Sequence, residues 1–341
     1  MINLKNSYYR LLAYLFITFS GTVTFGQNPA WKGRLTYTYG EEIKTYDLAS
    51  KADRSVLKTA REAYTDDSGE HWFIDMRFPT KGRLLRKSNS TFTQYKNVLD
   101  LTANNPIFKE RLDNYSVIRG TGNSDVMSSM GYPRVSPNGK YVSVTIFGYD
   151  KQIYDKDCVV IFDIASAEEV ARFDGKYGAS WTKDNGLIMA GSYKSASVNG
   201  QEYHSKNPGI FLCSPDFKTI RRIDPALDDP APYHPMLSPD GQKVAFILNN
   251  HIWTINIDGG NLKQITEVDN DNIESFPVWS PDGRWLACWS YKTFENSYFT
   301  AIAIVPSNPA APVVLSDKAN VWPRDVKNYR ISGGAMQISW K

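Results

Sequence analysis

Short runs in which apolar and polar residues alternate recur along the chain, the period-2 signature of a strand with one buried face. The clearest pair of runs flanks a turn. Phe276–Trp279 is apolar, Ser280-Pro281-Asp282-Gly283 follows, and Arg284–Ser290 alternates. Proline presets φ at the second position of a tight turn, Asp bonds its own backbone, and Gly accepts φ > 0. Two strands joined by such a turn form a hairpin.

The cassette recurs. Met236-Leu237-Ser238-Pro239-Asp240-Gly241 precedes Gln242–Leu248, and Arg134-Val135-Ser136-Pro137-Asn138-Gly139 precedes Lys140–Phe147. A worn copy, Ser180-Trp181-Thr182-Lys183-Asp184-Asn185-Gly186, precedes Leu187–Ala190. Third strands are predicted at Cys158–Asp163, Ile210–Ser214, Ile252–Ile257 and Phe299–Val305. Short fourth strands are predicted at Val170–Phe173, Ile220–Ile223, Lys263–Ile265 and Val313–Leu315. Four strands per repeat, recurring every few tens of residues, make up a β-propeller blade. The x-P-x-W-S-P-D-G pattern resembles the TolB-like propeller repeats, relatives of the WD type, over roughly 131–317. The resemblance implies an architecture and no particular activity.

The expected fold is all-β: a six-bladed β-propeller of four-stranded antiparallel blades. Six follows from the turn glycines Gly33, Gly69, Gly139, Gly186, Gly241 and Gly283; a seventh blade fits only if 79–130 hides a divergent repeat. Gly33–Tyr39, Ile43–Leu48 and Ser55–Lys58 supply three strands of the first blade. Ala335–Trp340 matches the run before the turn, with Ser339 in the Ser280 position, so the C-terminal strand should close that blade. Closure would remove open sheet edges. In the second blade Asp66-Asp67-Ser68-Gly69 serves as the turn and Trp72–Phe78 as the second strand. Thr91–Leu101 and Ile107–Leu112 are its candidate outer strands, and Ser116–Met130 is a long loop. Trp181 and Trp279 read as packing between blades.

Residues 1–26 stand apart. Lys5 and Arg10 precede an apolar run, Leu11–Phe19, too short to span a bilayer, and small residues lead to Gly26. This is the pattern of a signal peptide, leaving 27–341 as the propeller. No later run is long enough for a membrane helix. Of the 39 basic residues, cleavage removes Lys5 and Arg10, leaving 37 against 36 acidic ones. A near-neutral protein has no general electrostatic attraction for nucleic acid or acidic lipid. Cys158, Cys213 and Cys288 are far apart, lack metal-ligand spacing and read as small buried hydrophobes.

All the Ser-Pro-Asp-Gly turns must lie on one face of the ring. The other face holds the connections between blades and the loops Phe147–Lys156, Tyr193–Pro208 and Tyr291–Tyr298. Loops on a rigid scaffold are the usual home of binding residues. Tyr132, Tyr177, Tyr233, His234, Glu274 and Phe276 fall at the blade entries, around the mouth of the central channel. Tyrosine combines an apolar face with a polar tip, suited to sugars and peptides. The resemblance also covers oligogalacturonate lyase, whose propeller holds a metal on several His. Here only His71, His204, His234 and His251 occur, and no ligand cluster is visible. Asp269-Asn270-Asp271-Asn272 lacks the Gly and late Glu of an EF-hand. Relatives with a hydrolase domain carry G-x-S-x-G, absent here, and TolB carries an α/β domain ahead of its propeller, which the stretch before Gly33 cannot form.

The sequence therefore predicts a periplasmic or secreted, monomeric, non-catalytic propeller with no cofactor and no metal. It would bind a protein partner or an envelope or extracellular glycan through its aromatic loop face. The alternative is a metal-assisted polysaccharide lyase or hydrolase centred on His234.

Overall fold

The computed structural model describes residues 31–39, 42–58, 60–75, 84–88, 95–97, 129–147, 158–166, 168–191, 193–198, 201–206, 208–225, 227, 231–267, 272–294, 297–315, 321–322 and 337–341. The expected signal peptide, Ile107–Leu112 and Asp269–Asp271 lie outside these residues.

The fold is an all-β propeller built from four-stranded antiparallel sheets, of which the described residues form six. The first sheet has the order Ile338–Trp340, Arg34–Tyr39, Glu42–Asp47, Ala52–Lys58. The second runs Ala60–Thr65, His71–Asp75, Leu84–Ser88, Tyr95–Asn97. The third runs Ser129–Val135, Tyr141–Phe147, Cys158–Asp163, Glu169–Asp174. The fourth runs Lys176–Trp181, Leu187–Gly191, Ile210–Cys213, Ile220–Arg222. The fifth runs Tyr233–Leu237, Lys243–Leu248, His251–Asn256, Lys263–Gln264, and the sixth Asn272–Trp279, Trp285–Phe294, Ser297–Pro306, Val321–Trp322.

Alternation places successive residues of a strand on opposite sheet faces, so a central strand feeds two cores. Val142, Val144, Val160 and Phe162 of the third sheet pack with Trp72 of the second. Val159 and Ile161, one residue out of step, pack with Leu187 and Met189 of the fourth. Ile188 and Ile210 then meet Val244 and Phe246 of the fifth, whose Ala245 and Ile247 meet Leu286 and Cys288 of the sixth. Ala287, Trp289 and Ile302 of the sixth pack on Leu35, Ile338 and Trp340 of the first. Between the first and second sheets, among the described residues, Ile43 and Phe73 form the cluster, with Val56 against it. Each fully buried Val, Leu, Ile or Phe contributes about 1.5–3 kcal/mol, so the sheets are held mainly by each other. The three cysteines are buried and free, as their apolar surroundings require.

The turns work by a repeated hydrogen-bond set. Ser280 Oγ donates to Asp282 Oδ1 (2.6 Å) and accepts from Trp285 N (3.0 Å), while Arg284 N donates to the same Asp oxygen (3.1 Å). Ser238 with Asp240 and Ser136 with Asn138 repeat it. Ser214-Pro215-Asp216 builds the same network between the third and fourth strands of the fourth sheet, with Phe217 at φ 62° in the glycine position.

The C-terminal strand pairs antiparallel with Arg34–Tyr39, in the register Leu35 with Trp340 and Thr36 with Ser339. Arg34 N donates to Lys341 O (2.6 Å) and Lys341 N to Arg34 O (3.0 Å). That pair corresponds to Ser280 with Trp285, so Lys341, not Ser339, occupies the Ser280 position. The true match is to the worn repeat. Ser180 Oγ accepts Leu237 N (3.1 Å) of the next sheet, and Ser339 Oγ accepts Thr65 N (3.4 Å) of its own neighbour. Gly33, at φ 95°, is required there because a Cβ would lie 2.3 Å from Lys341 O.

Four expectations are corrected. The third strand of the second sheet is Leu84–Ser88, and Tyr95–Asn97, within the expected Thr91–Leu101 run, is the fourth; the rest of that run lies outside the described residues. Val313–Val314 does not end the sixth sheet; it pairs in parallel with Thr266–Glu267, and Val321–Trp322 pairs with Ser297–Pro306 instead. Tyr193–Pro208 is no loop but carries a hairpin, Tyr193–Val198 with Gln201–Lys206. Most of Tyr291–Tyr298 extends the two long strands of the sixth sheet.

Candidate functional site

The first strand of each sheet runs along the axis, and in five of the sheets its pairing slips once. In the third, fourth, fifth and sixth sheets the slip falls between Gly131 and Arg134, Tyr177 and Ala179, Tyr233 and Met236, and Ser275 and Val278. At each slip sits a left-handed residue: Tyr132 at φ 54°, Gly178 at 57°, His234 at 51° and Phe276 at 52°. Three of these precede a proline, Pro133, Pro235 and Pro277. Proline has no N–H to give the ladder, so a bulge is where a strand tolerates it. A bulky left-handed residue costs about 1–3 kcal/mol and persists only where its surroundings compensate.

The compensation is an aromatic plug. His234 stacks on Phe276 with ring centres 3.7 Å apart. Tyr132 meets Phe276 edge-on at 5.3 Å and His234 at 5.9 Å. Phe276 N donates to His234 Nδ1 (3.4 Å). Three sheets thus send one ring each to the axis, leaving a cavity of about 20 Å³ lined by Arg134, Gly178, His234, Phe276, Gln337 and their neighbours. That is room for roughly one water. Burial among these rings pushes the His234 imidazole down to about 3, so it is neutral at physiological pH. Tyr177 and Tyr233 flank it, with ring centres 6.4 and 5.0 Å away.

Glu274 is elsewhere. Its carboxylate is fully buried between the fifth and sixth sheets. It accepts from Ile252 N (2.9 Å) and Thr266 Oγ1 (2.5 Å) and contacts His251 Nδ1 (3.3 Å). That is a structural clasp, which holds the buried carboxylate between backbone and side-chain partners of the fifth and sixth sheets. His71 is likewise engaged, with Thr65 Oγ1 at 3.0 Å. Tyr203 and His204 stand on the extra hairpin of the fourth sheet. Among the described residues no group of three or more His, Cys, Asp or Glu could hold a metal. His234 is stacked on Phe276 and bonded through Nδ1, and among the described residues it belongs to no such group.

The large opening lies on the turn side of the plug. A funnel of about 880 Å³ is lined by the first strands and by the turns, including Pro137, Lys183, Pro239 and Pro281. Trp181, Trp279 and Trp340 form part of its wall. Two residues before each turn, the six sheets place Ser339, Tyr64, Arg134, Ser180, Met236 and Val278 in that lining. Arg134 is the one charge in this set. It is only 6% exposed, its guanidinium lies 4.7 Å over the Tyr64 ring, and its Nη1 has no hydrogen-bond partner. Desolvation lowers its pKa to about 10, so it stays charged at neutral pH. Arg134 also lines the small cavity, where Gln337 Oε1 is a second unpartnered atom. Sequence inspection passed over Arg134, although comparison of the repeats isolates it.

No protein-family model matches the chain, and no curated protein matches it. Solved structures do. A candidate TolB from Agrobacterium tumefaciens is similar with TM-score 0.52 and 13% identity, over 86% of this chain and 99% of that one. Hydrazine synthase of Kuenenia stuttgartiensis is similar with TM-score 0.54 and 9% identity, over 92% of this chain and 47% of that one. Oligogalacturonate lyase from Vibrio parahaemolyticus reaches TM-score 0.44 at 14% identity, over 81% of this chain and 71% of that one. At these identities the likeness carries the propeller fold alone. Among the described residues no helix is long and apolar enough to cross a membrane.

Proposed function

We propose that the protein is an exported six-bladed propeller, its ring closed by the C-terminal strand, that binds a protein partner or a glycan without catalysing a reaction. Six sheets in sequence, each packed on the next and the last on the first, support the blade count and the closure. The leader-like residues 1–26 support export.

The binding site moves from the loop face to the turn face in this reading. Arg134, Met236 and Ile338 lie between the funnel and the aromatic plug of Tyr132, His234 and Phe276, Tyr177 and Tyr233 brace the plug, and Glu274 clasps the fold. The observation that carries the reading is the funnel of about 880 Å³ above a closed floor, which falls in the range of about 300–1,000 Å³ that ligand sites occupy. Arrays of glycans and peptides, screened with residues 27–341, provide the test. Hits should alter the fluorescence of the funnel tryptophans and should be lost in Lys183→Trp, which adds bulk at the exposed rim. Hits that bind Lys183→Trp as well as wild type would overturn the funnel assignment.

A further inference from the structure

The floor of the funnel carries a charge that the protein itself leaves uncompensated. Arg134 makes no ion pair among the described residues. A buried guanidinium without a counter-charge is destabilising, and its desolvation is offset only by a partner that accepts its N–H groups. The carboxylates in the funnel wall are already committed. Asp66 accepts from Ser68 N (3.0 Å), Ser68 Oγ (2.6 Å), Glu70 N (3.0 Å) and Trp72 Nε1 (2.9 Å). Asp67 pairs with Lys341, and Asp47 accepts from Ser50 N and Oγ, both at 2.8 Å. The residues at the equivalent positions of the other sheets, Ser180, Met236, Val278, Ser339 and Tyr64, are uncharged, and Lys341, whose Nζ also lies over the Tyr64 ring at 5.6 Å, is paired with Asp67.

We infer that the ligand of this funnel presents a carboxylate, and that Arg134 on the floor is the residue that binds it. The inference rests on the funnel being the binding site. A guanidinium offers planar, paired N–H donors that match a carboxylate. Ser339 Oγ, which accepts from Thr65 N, still has its O–H to donate to the same group. Phosphate shares the oxyanion chemistry but suits the site less well. One buried cation faces the ligand, enough for a singly charged carboxylate, while the other charges of the lining, Arg34, Lys183 and Lys341 against Asp47, Asp66 and Asp67, balance one another.

The experiment is a thermal-shift and calorimetric titration of residues 27–341 with acetate, N-acetylglycine and inorganic phosphate, against sodium chloride at matched ionic strength. The carboxylates should raise the wild-type Tm in a saturable way, with phosphate at least tenfold weaker. Arg134→Met should abolish the shift and, without added anion, unfold no more easily than wild type, since an apolar stem replaces an uncompensated charge. Should Arg134→Met fail to fold, Arg134→Lys keeps the charge without the planar fork and should weaken carboxylate binding about tenfold. No saturable shift with either carboxylate would overturn the inference, leaving Arg134 hydrated by water alone. Phosphate binding as tightly as carboxylate would overturn it too. The two readings fail differently. Array hits lost in Lys183→Trp but kept in Arg134→Met leave the funnel standing and refute the carboxylate, whereas hits kept in Lys183→Trp refute the funnel.

Discussion

Deleting Gln337–Lys341 removes the strand that joins the two ends of the chain. Ile338 and Trp340 are buried in the cluster shared by the first and sixth sheets, against Leu35, Trp289 and Ile302. Truncating a buried Trp costs about 3–5 kcal/mol and a buried Ile about 2–5. The two backbone bonds between Arg34 and Lys341 and the bond from Trp340 Nε1 to Lys32 O (2.9 Å) add about 1 kcal/mol each. The loss, roughly 8–13 kcal/mol, is comparable to the whole stability of a domain, about 5–15 kcal/mol. The deletion variant should therefore be largely unfolded in buffer. Trp340→Ala should be folded but about 3–5 kcal/mol less stable. Urea titrations followed by far-UV circular dichroism and by tryptophan fluorescence measure both. A deletion variant within about 1 kcal/mol of wild type would refute the closure, because surface changes stay near that size.

Three further outcomes follow from the same geometry. Glu274→Ala leaves buried groups on Ile252, Thr266 and His251 without their acceptor and should cost about 3–5 kcal/mol in urea unfolding, with the same fold by circular dichroism. His234 has a folded pKa near 3 against 6.5 unfolded, so the unfolded chain binds more protons between them. Stability should thus fall as pH drops from about 6.5 towards 3, by at most about 1.4 kcal/mol per pH unit, and His234→Phe should flatten that slope. Below pH 4 a second loss should appear. Ser280 and the Arg284 groups hold the Asp282 carboxyl at about 2, below its ordinary 3.8, and Ser238 lowers Asp240 in the same way. Their contribution, present above pH 3.8, disappears as pH falls, and Asp282→Asn with Asp240→Asn should lessen the acid dependence of the thermal midpoint.

The hairpins were legible because turn chemistry and alternation are local: Ser280-Pro281-Asp282-Gly283 dictates its own geometry, and so do its copies. The pairing of the C-terminal strand with the first sheet was legible in outline from Ile338 and Trp340, but off by two residues, because Ser339 resembles a turn serine in type and differs only in its partner. Val313–Val314 reads as a fourth strand from its β-branched residues, yet which edge it joins depends on a contact with Thr266–Glu267 distant in sequence. The axial positions of Tyr132, His234 and Phe276 followed from repeat alignment. Their stacking into a plug did not, since it depends on left-handed bulges before proline, against the usual preference of pre-proline residues. Glu274 shows the converse limit: a carboxylate beside an aromatic run suggests a mouth, whereas its partners, His251 and Thr266, reveal a clasp. Arg134 was hidden in a strand-like run, and only the uncharged residues at the equivalent repeat positions mark it out.

The most direct test of the account is which face of the propeller meets its ligand. The strongest array hit would be titrated against two variants, Lys183→Trp on the turn face and Tyr203→Ala on the hairpin of the other face, with tryptophan fluorescence as the readout. Loss of binding in Lys183→Trp with Tyr203→Ala matching wild type is the predicted result. Loss in Tyr203→Ala with Lys183→Trp unaffected would contradict it.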